Sequence, residues 1–118
     1  MEIIKSSGEL TKKELYKLTK DSNSRKMTEA TGGALDVAAW AYYTDYRIGK
    51  GGEKTDEEQE ALSILTVEDE VFSTISPSFI RTFMDIVETF GEKLDGVRVV
   101  VNMGESKNGR QFIKAGIE

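Results

Sequence analysis

Three large aromatic side chains recur at strand spacing within one segment, "ALDVAAWAYYTDYR", residues 34–47. Side chains of a β-strand alternate between its two faces, so Trp40, Tyr42 and Tyr46 would share a face that nearby polar residues mark as solvent-exposed. The nearest two rings would lie about 7 Å apart, a spacing that matches bases in an extended strand. Such rings stack on any nucleobase, at about 1–3 kcal/mol per base, so the pattern predicts sequence-tolerant stacking.

Two other arrangements of these rings stay open. In one, the N-terminal helix covers the aromatic face, and the rings belong to the core. In the other, a β-bulge in the long strand exchanges the two faces beyond it. Tyr43 would then be the exposed ring in place of Tyr42.

Basic side chains occur at two further places, each next to a predicted strand end. Three lie in the glycine-rich segment 47–60, and two flank the Asn108-Gly109 turn. Lysine and arginine bind phosphates with release of counterions, so these contacts weaken as salt rises. Phe72 is open to either stacking or the core. The candidate nucleic-acid-binding residues are Trp40, Tyr42, Tyr46, Arg47, Lys50, Lys54, Phe72, Lys107, Arg110 and Phe112.

The residue types that usually carry catalysis or hold metals are scarce. The chain contains no histidine and no cysteine, which removes the usual general base and the commonest metal ligands. The acidic runs "TDEEQE" and "EDE" lack the spacing of a calcium loop, and "GKGGEKT" lacks the spacing of a phosphate-binding loop. We therefore predict a non-enzymatic protein with no catalytic residue, metal ligand or cofactor.

The net charge of -5 weakly disfavours a nucleic-acid partner. The charge is uneven, however. Residues 1–54 hold ten Lys and Arg against eight Asp and Glu, and residues 55–118 hold six against thirteen. A binding groove needs only local positive potential, so the acidic balance does not remove this partner class.

A chain of 118 residues suits one domain that buries a core without disulfides. No apolar run approaches the roughly 18 residues of a membrane span, and the N-terminus has no signal-peptide core. We expect a cytoplasmic protein that does not associate with a membrane.

Local signals predict two helices. Thr11 and Glu14 form a capping-box pattern, which predicts a helix of about two turns that ends near Lys20. The segment "SPSFIRTFMDIVETFGEK" predicts a longer helix with a serine cap, a proline at its first position and a terminal glycine. One face of the longer helix is expected to be core: Phe79, Phe83, Ile86, Val87 and Phe90.

Alternating apolar residues predict five strands. The aromatic segment is the first, and a loop of about a dozen residues, "RIGKGGEKTDEEQE", separates it from "ALSILTV". The segment "VFSTI" follows after a tight acidic turn. After the longer helix, "VRVVVNM" and "RQFIKAGI" form a hairpin around Asn108-Gly109, and the first of them is expected to be buried on both faces.

The resulting order, β-β-β-α-β-β, predicts a mainly β protein with the five-stranded, partly open barrel of the OB-fold. A single domain would span residues 1–118. Residues 34–118 would form the barrel. Residues 1–33, a helix and a connecting loop, would be an extension outside it.

The sequence also resembles the small single-stranded-DNA-binding proteins of phages and mobile elements of Gram-positive bacteria. The resemblance lies in "MEIIKSSGELTKKELYKLTK", "AWAYYTDY", "ALSILTVEDEVFSTISPSFIRTFMDIV" and "VRVVVNMGESKNGRQFIKAGI". It implies an OB-fold, sequence-tolerant binding of single-stranded DNA, and a homodimer or larger assembly. Cellular proteins of this activity recruit partners through an acidic tail. This sequence ends at "KAGIE", so recruitment by a tail is not expected.

We expect binding of single-stranded DNA during replication or recombination of a phage or mobile element, with replication or recombination proteins as further partners. Single-stranded RNA stays open, because contacts to the 2′-hydroxyl decide between the two nucleic acids. The alternative is a protein-interaction module that uses an exposed Trp/Tyr face for self-association or a partner, because these rings are enriched at interfaces.

Overall fold

The computed structural model describes residues 1–48, 51–94 and 96–118. Within these residues the chain forms eight strands, two α-helices and one 3-10 turn at Met27–Ala30. The helices are Lys12–Thr19 (α1) and Pro77–Phe90 (α2). The strands are Glu2–Ser6 (β1), Arg25–Lys26 (β2), Ala34–Leu35 (β3), Val37–Ile48 (β4), Lys54–Thr66 (β5), Val71–Thr74 (β6), Val99–Glu105 (β7) and Gln111–Ile117 (β8).

The strands form two sheets that share the predicted first strand. One sheet has the order β1-β4-β5-β6-β2, and the other has the order β3-β7-β8. Asp36 separates β3 from β4, so the aromatic segment bends there and passes from one sheet to the other. The prediction of a mainly β protein is confirmed. The predicted five-stranded barrel is not found as such, because the described strands number eight and the sheets do not close on each other.

The predicted loop at residues 47–60 is mostly strand. β4 and β5 stay paired beyond the core, with Asp45 opposite Gln59 and Tyr46 opposite Glu58, up to the pair Ile48 and Lys54. This part of the strand was predicted as a loop because its side chains are mostly charged. A hairpin arm that extends beyond the core has no alternation of apolar and polar residues. The predicted hairpin between "ALSILTV" and "VFSTI" is confirmed by the β5–β6 register.

The N-terminal segment belongs to the main sheet. The predicted helix is confirmed as α1: Thr11 Oγ1 accepts from the Glu14 amide at 3.1 Å, and the Thr11 amide donates to Glu14 Oε1 at 2.9 Å. Residues 1–33, predicted as a helix and a connecting loop outside the barrel, also contain β1, which pairs with β4, and β2, which pairs with β6. α1 packs on this sheet through Leu18.

α2 follows its sequence signals closely. It has Ser76 as its N-cap and Pro77 in its first turn, and Gly91 ends it with φ +91°. The predicted core positions are buried except Phe90, in the last turn, which is 37 % exposed. Neither helix in the described part of the chain is long and apolar enough to cross a bilayer.

The C-terminal hairpin is confirmed, with β7 paired to β8 around the turn. Gly109 adopts φ +78°, and its amide donates to the Ser106 carbonyl at 2.9 Å. Val99 and Val101 of β7 are fully buried, but Val100 on the opposite face is only half-buried. The prediction that this strand is buried on both faces is wrong, because Val100 is only half-buried and Met103, on the face of Val99 and Val101, is 46 % exposed.

The capping box of α1 gives the first testable prediction. Thr11→Ala removes the side-chain acceptor of the Glu14 amide, so we expect the free energy of unfolding to fall by about 0.5–2 kcal/mol. Urea unfolding followed by the fluorescence of the single tryptophan measures this change. Lys13→Ala, at an exposed position of the same helix, is the control and should unfold at nearly the wild-type midpoint. Equal midpoints for Thr11→Ala and wild type would contradict the role of the cap.

Candidate nucleic-acid interface

Trp40 lies in the main core and has no exposed surface. Its indole Nε1–H donates to the Glu92 carbonyl at 2.8 Å, and its ring meets Phe83 edge to face with centroids 5.3 Å apart. The prediction that Trp40 offers an exposed stacking ring is wrong. Alternation identified its face correctly, but α2 covers that face.

Phe72 is also a core ring. It is 6 % exposed and lies opposite Ile64 in the β5–β6 register, on the face that packs against α2. The prediction of Phe72 as a stacking residue is therefore wrong as well. Two of the candidate rings stabilise the fold and are inaccessible to a ligand.

Tyr42 and Tyr43 are both held by hydrogen bonds. Tyr42 is half-buried, and its hydroxyl donates to Glu60 Oε1 at 2.6 Å. Tyr43 is 6 % exposed, and its hydroxyl lies 3.0 Å from Ser63 Oγ. The register of β4 against β5 shifts before Ala39 and after Tyr46, so no bulge exchanges the faces between them. The predicted role of Tyr42 as an open stacking ring is not supported by this placement.

Tyr46 is 39 % exposed and lines a groove between the β4–β5 and β7–β8 hairpins. The groove consists of two depressions of about 440 Å³ and 540 Å³ that share Thr28, Thr74 and Ile75. Because they share these residues, the two depressions adjoin each other at the end of β6. We call the two depressions together the groove. The first depression is also lined by Lys26, Met27, Tyr43, Asp45, Tyr46, Gln59, Ala61 and Ser73, and the second by Ser76, Pro77, Ser78, Met103, Gln111, Phe112 and Ile113.

Phe112 lies in the second depression, and a glycine opposite sets its orientation. Gly104 pairs with Phe112 across the hairpin, and a Cβ at Gly104 would lie 2.6 Å from the phenyl ring. The ring therefore lies across the backbone of β7, in space that any other residue would fill. Lys114 Nζ lies 5.4 Å from the ring centroid, within cation–π range. This arrangement holds the ring in one place, with the Lys114 ammonium over it.

The basic candidates are divided between two places. Lys107 and Arg110 are exposed in the β7–β8 turn, and neither forms an ion pair with another residue of the described ranges. The backbones of Arg47 and Lys54 lie in β4 and β5, whereas their side chains, and the whole of Lys50, lie outside what the structure describes. The structure therefore places two of the five predicted cations beside the groove's aromatic end.

The two hairpins beside the groove carry opposite charge. The β7–β8 hairpin has three cationic residues against Glu105, whereas the β4–β5 arm includes the acidic residues Asp45, Asp56, Glu58 and Glu60. Within residues 1–48, 51–94 and 96–118, no cluster of acidic side chains is arranged to hold a metal ion. Among the described residues that line the groove, only Lys26 and Asp45 are charged, so the other charges of the two hairpins lie outside its lining.

Sequence reasoning missed several groove residues. Lys26 was part of a predicted loop, and Ile75 and Met103 were predicted as strand residues without a binding role. Ile75 is 58 % exposed and Met103 is 46 % exposed, so both offer apolar surface to a ligand. Their positions at strand ends were visible in the sequence, but only the packing of the two sheets brings them together.

The hydrogen bond between Tyr42 and Glu60 predicts how the stability of the fold depends on pH. The hydrogen bond to Glu60, together with partial burial, raises the pKa of Tyr42 to about 12. The unfolded chain ionises first, near pH 10. The stability that this bond contributes is therefore complete below about pH 10 and is lost as the pH rises towards 12.

Glu60→Gln should return the pKa of Tyr42 towards its ordinary value, because no carboxylate would then oppose the phenolate. NMR titration of the tyrosine ring signals measures this, with Tyr42→Phe to assign the signal. A Tyr42 signal that titrates alike in wild type and Glu60→Gln would refute the assignment.

The contact between Gly104 and Phe112 gives a further prediction. Gly104→Ala should displace the Phe112 ring, since the new methyl group would occupy its position. In NMR spectra we expect loss of the contacts between the phenyl protons and residue 104, with the rest of the hairpin retained. Gly33→Ala is the control, because its nearest neighbour would be the Ala30 carbonyl oxygen at 3.4 Å, an ordinary contact distance. Unchanged Phe112 signals in Gly104→Ala would show that the glycine does not hold the ring.

Compared with known proteins, the chain matches no family model, no curated protein sequence and no solved structure. A functional assignment therefore depends on the geometry of the groove and on the chemistry of the residues that line it.

Proposed function

We propose that this protein binds single-stranded DNA in the groove, without sequence specificity and without catalysis. The observation that carries the proposal is that the two depressions adjoin at the end of β6, with Tyr46 in one and Phe112 in the other. Two adjoining depressions, each with a ring, suit a linear polymer better than a compact ligand. Ile75 and Met103 add apolar surface to the groove.

The exposed rings favour single strands over duplex. In a duplex the base faces are stacked on one another, so only base edges and phosphates meet a protein. Tyr46 and Phe112 can stack only on bases that are unpaired and splayed out, in DNA or in RNA. Each stacked base would contribute about 1–3 kcal/mol with little dependence on its identity.

Cations near the groove suit the phosphates. Lys107, Arg110 and Lys114 belong to the β7–β8 hairpin, and Lys26 lines the first depression. Each phosphate neutralised on a single strand adds about -0.7 to the slope of log affinity against log salt. With so few cations near the groove, the salt dependence should be clear but shallower than that of a strongly basic protein.

The proposal includes the assignment of the fold as an OB-fold. β4, β5 and β6 form a meander, α2 follows, and β7 and β8 complete the chain. β3, directly before β4, lies in the three-stranded sheet, so residues 34–48 connect the two sheets. Oligonucleotides bind OB-folds across the second and third strands, between two loops. That residues of β5 and β6 line the first depression supports a corresponding site in this proposal. A cytoplasmic role in phage or mobile-element replication or recombination, with proteins of those processes as partners, is supported by the sequence resemblance alone.

A protein ligand is the second candidate. The acidic β4–β5 arm and the net charge of -5 favour a basic partner over a polyanion. The exposed side chains of Ile75 and Met103 would then contact a basic, partly apolar peptide. Trp40 would have no part in this interface, because it is buried.

The deciding test is binding of a labelled oligo-dT, measured by fluorescence anisotropy at low and high salt. We expect binding that salt weakens, with little affinity for a duplex of the same length. Tyr46→Ala and Phe112→Ala should each weaken binding by about 1–3 kcal/mol. Tyr16→Ala is the matched control, because Tyr16 is a 57 % exposed ring on α1 that does not line the groove.

Two outcomes would overturn the proposal. Equal affinity for duplex, or equal losses for all three ring variants, would show that the groove does not bind unpaired bases. If the oligonucleotide fails to bind and a basic peptide binds instead, the second candidate is favoured.

A further inference from the structure

The outer side of α1 carries three basic side chains that have no acidic neighbour to pair with. Lys12, Lys13 and Lys20 are exposed, and none of them forms an ion pair within the parts of the chain that the structure describes. Lys17 is instead paired with Asp69. With 3.6 residues per turn, the three free lysines fall within a sector of about 100° around the helix axis. They therefore form one positively charged surface.

α1 borders the first depression of the groove. The core under α1 contains Leu18, Tyr43 and Ala61, and the last two of these also line the depression. The Tyr43 hydroxyl donates to the Leu18 carbonyl in the last turn of α1, at 3.3 Å. Lys20, the C-cap of the helix, follows two residues later. The C-terminal end of α1 and the first depression thus lie next to each other on one face of the main sheet.

The acidic β4–β5 arm lies at the opposite end of the first depression. Along β4, Ala39 and Ala41 lie under α1, Tyr43 comes next, and Asp45 follows on the arm. A DNA strand that leaves the depression along β4 therefore meets either the carboxylates of the arm or the lysines of α1. Carboxylates repel phosphates and ammonium groups attract them, so charge favours the path across α1.

From this arrangement we propose that α1 is a second contact site for single-stranded DNA, where Lys12, Lys13 and Lys20 bind phosphates of the strand that leaves the first depression. This inference rests on the proposed function, because the groove must hold the strand first. The ligand at α1 is the sugar–phosphate backbone, since lysine binds phosphate as a point charge and phosphate contacts carry no sequence information. The contact lengthens the binding site and steepens its salt dependence without adding base recognition.

The salt dependence of binding tests this contact. Anisotropy is measured over a salt series with a labelled oligo-dT of about six nucleotides, chosen to occupy the groove, and with one of about twelve, chosen to reach α1. For the longer strand, each lysine that binds a phosphate should add about -0.7 to the slope of log affinity against log salt. A longer strand also offers more binding registers, but their number raises affinity equally at every salt concentration.

Two double variants with equal charge separate α1 from the overall charge of the protein. Lys12→Gln/Lys20→Gln should make the slope for the longer strand shallower by about 1.4 and leave binding of the shorter strand unchanged. Lys5→Gln/Lys93→Gln is the matched control, and its slopes should equal those of wild type. Both control residues are exposed and lie on the α2 side of the main sheet, because Lys5 is paired with Tyr42 and Lys93 follows α2.

The outcomes distinguish this inference from the proposed function. If the longer strand does not bind, both fail. If it binds but Lys12→Gln/Lys20→Gln keeps the wild-type slope, only the contact at α1 is overturned. A control variant that lowers the slope equally would also overturn it, because the effect would then come from net charge. Unchanged binding of the shorter strand shows that the α1 variant is folded.

Tyr16→Ala tests whether the ligand at α1 is the backbone. Tyr16 lies among the three lysines and is exposed, and its replacement leaves all three charges in place. Both strands should therefore bind this variant like wild type. A loss confined to the longer strand would show that α1 binds a base, which contradicts a contact made through phosphates alone.

Discussion

The structure depends on the burial of β4 and β5 on both faces at once. On one face Trp40, Leu62 and Ile64 pack against α2 and the three-stranded sheet. On the other, Ala39 and Ala41 form a shallow surface against which Leu18 of α1 packs. Because Trp40 is on one face and the small Ala39 and Ala41 are on the other, the β4–β5 pair contributes to two hydrophobic cores. The polar arm beyond it, which carries Tyr46, is held in place by this pair.

The parts of the fold that sequence predicted are those set by local chemistry. Thr11, Glu14, Ser76 and Gly91 determine helix ends through their own backbone bonds, so α1 and α2 could be located without a structure. Asn108-Gly109 likewise located the turn of the β7–β8 hairpin. β1 and β2 could not be located in this way, because short edge strands form only when a neighbouring strand offers a ladder.

The burial of Trp40 shows why the site was only partly predictable. Alternation tells which residues share a face but not what covers that face, and the cover, α2, lies about 40 residues further along the chain. Asp36, a polar residue of that face, led to the prediction that the whole face is solvent-exposed. Its carboxylate forms an ion pair with Arg98 at 2.8 Å, which connects the β3–β4 junction to the residue before β7. Tyr46 and Phe112 were predictable as rings near strand ends. Lys26, Ile75 and Met103 were not, because only tertiary packing brings them to one groove.

The opposite charges of the two hairpins restrict how a polyanion could lie in the groove. Phosphates would be drawn to Lys107, Arg110 and Lys114 and repelled by Asp45 and the acidic arm, so the backbone of a bound strand would follow the β7–β8 side. The bases would then point across the groove, towards Ile75 and Tyr46. Under the proposed function, the acidic arm would weaken binding overall, yet it would also disfavour a duplex, which presents phosphates on both sides. A protein with a net charge of -5 would in this way combine modest affinity with a preference for single strands.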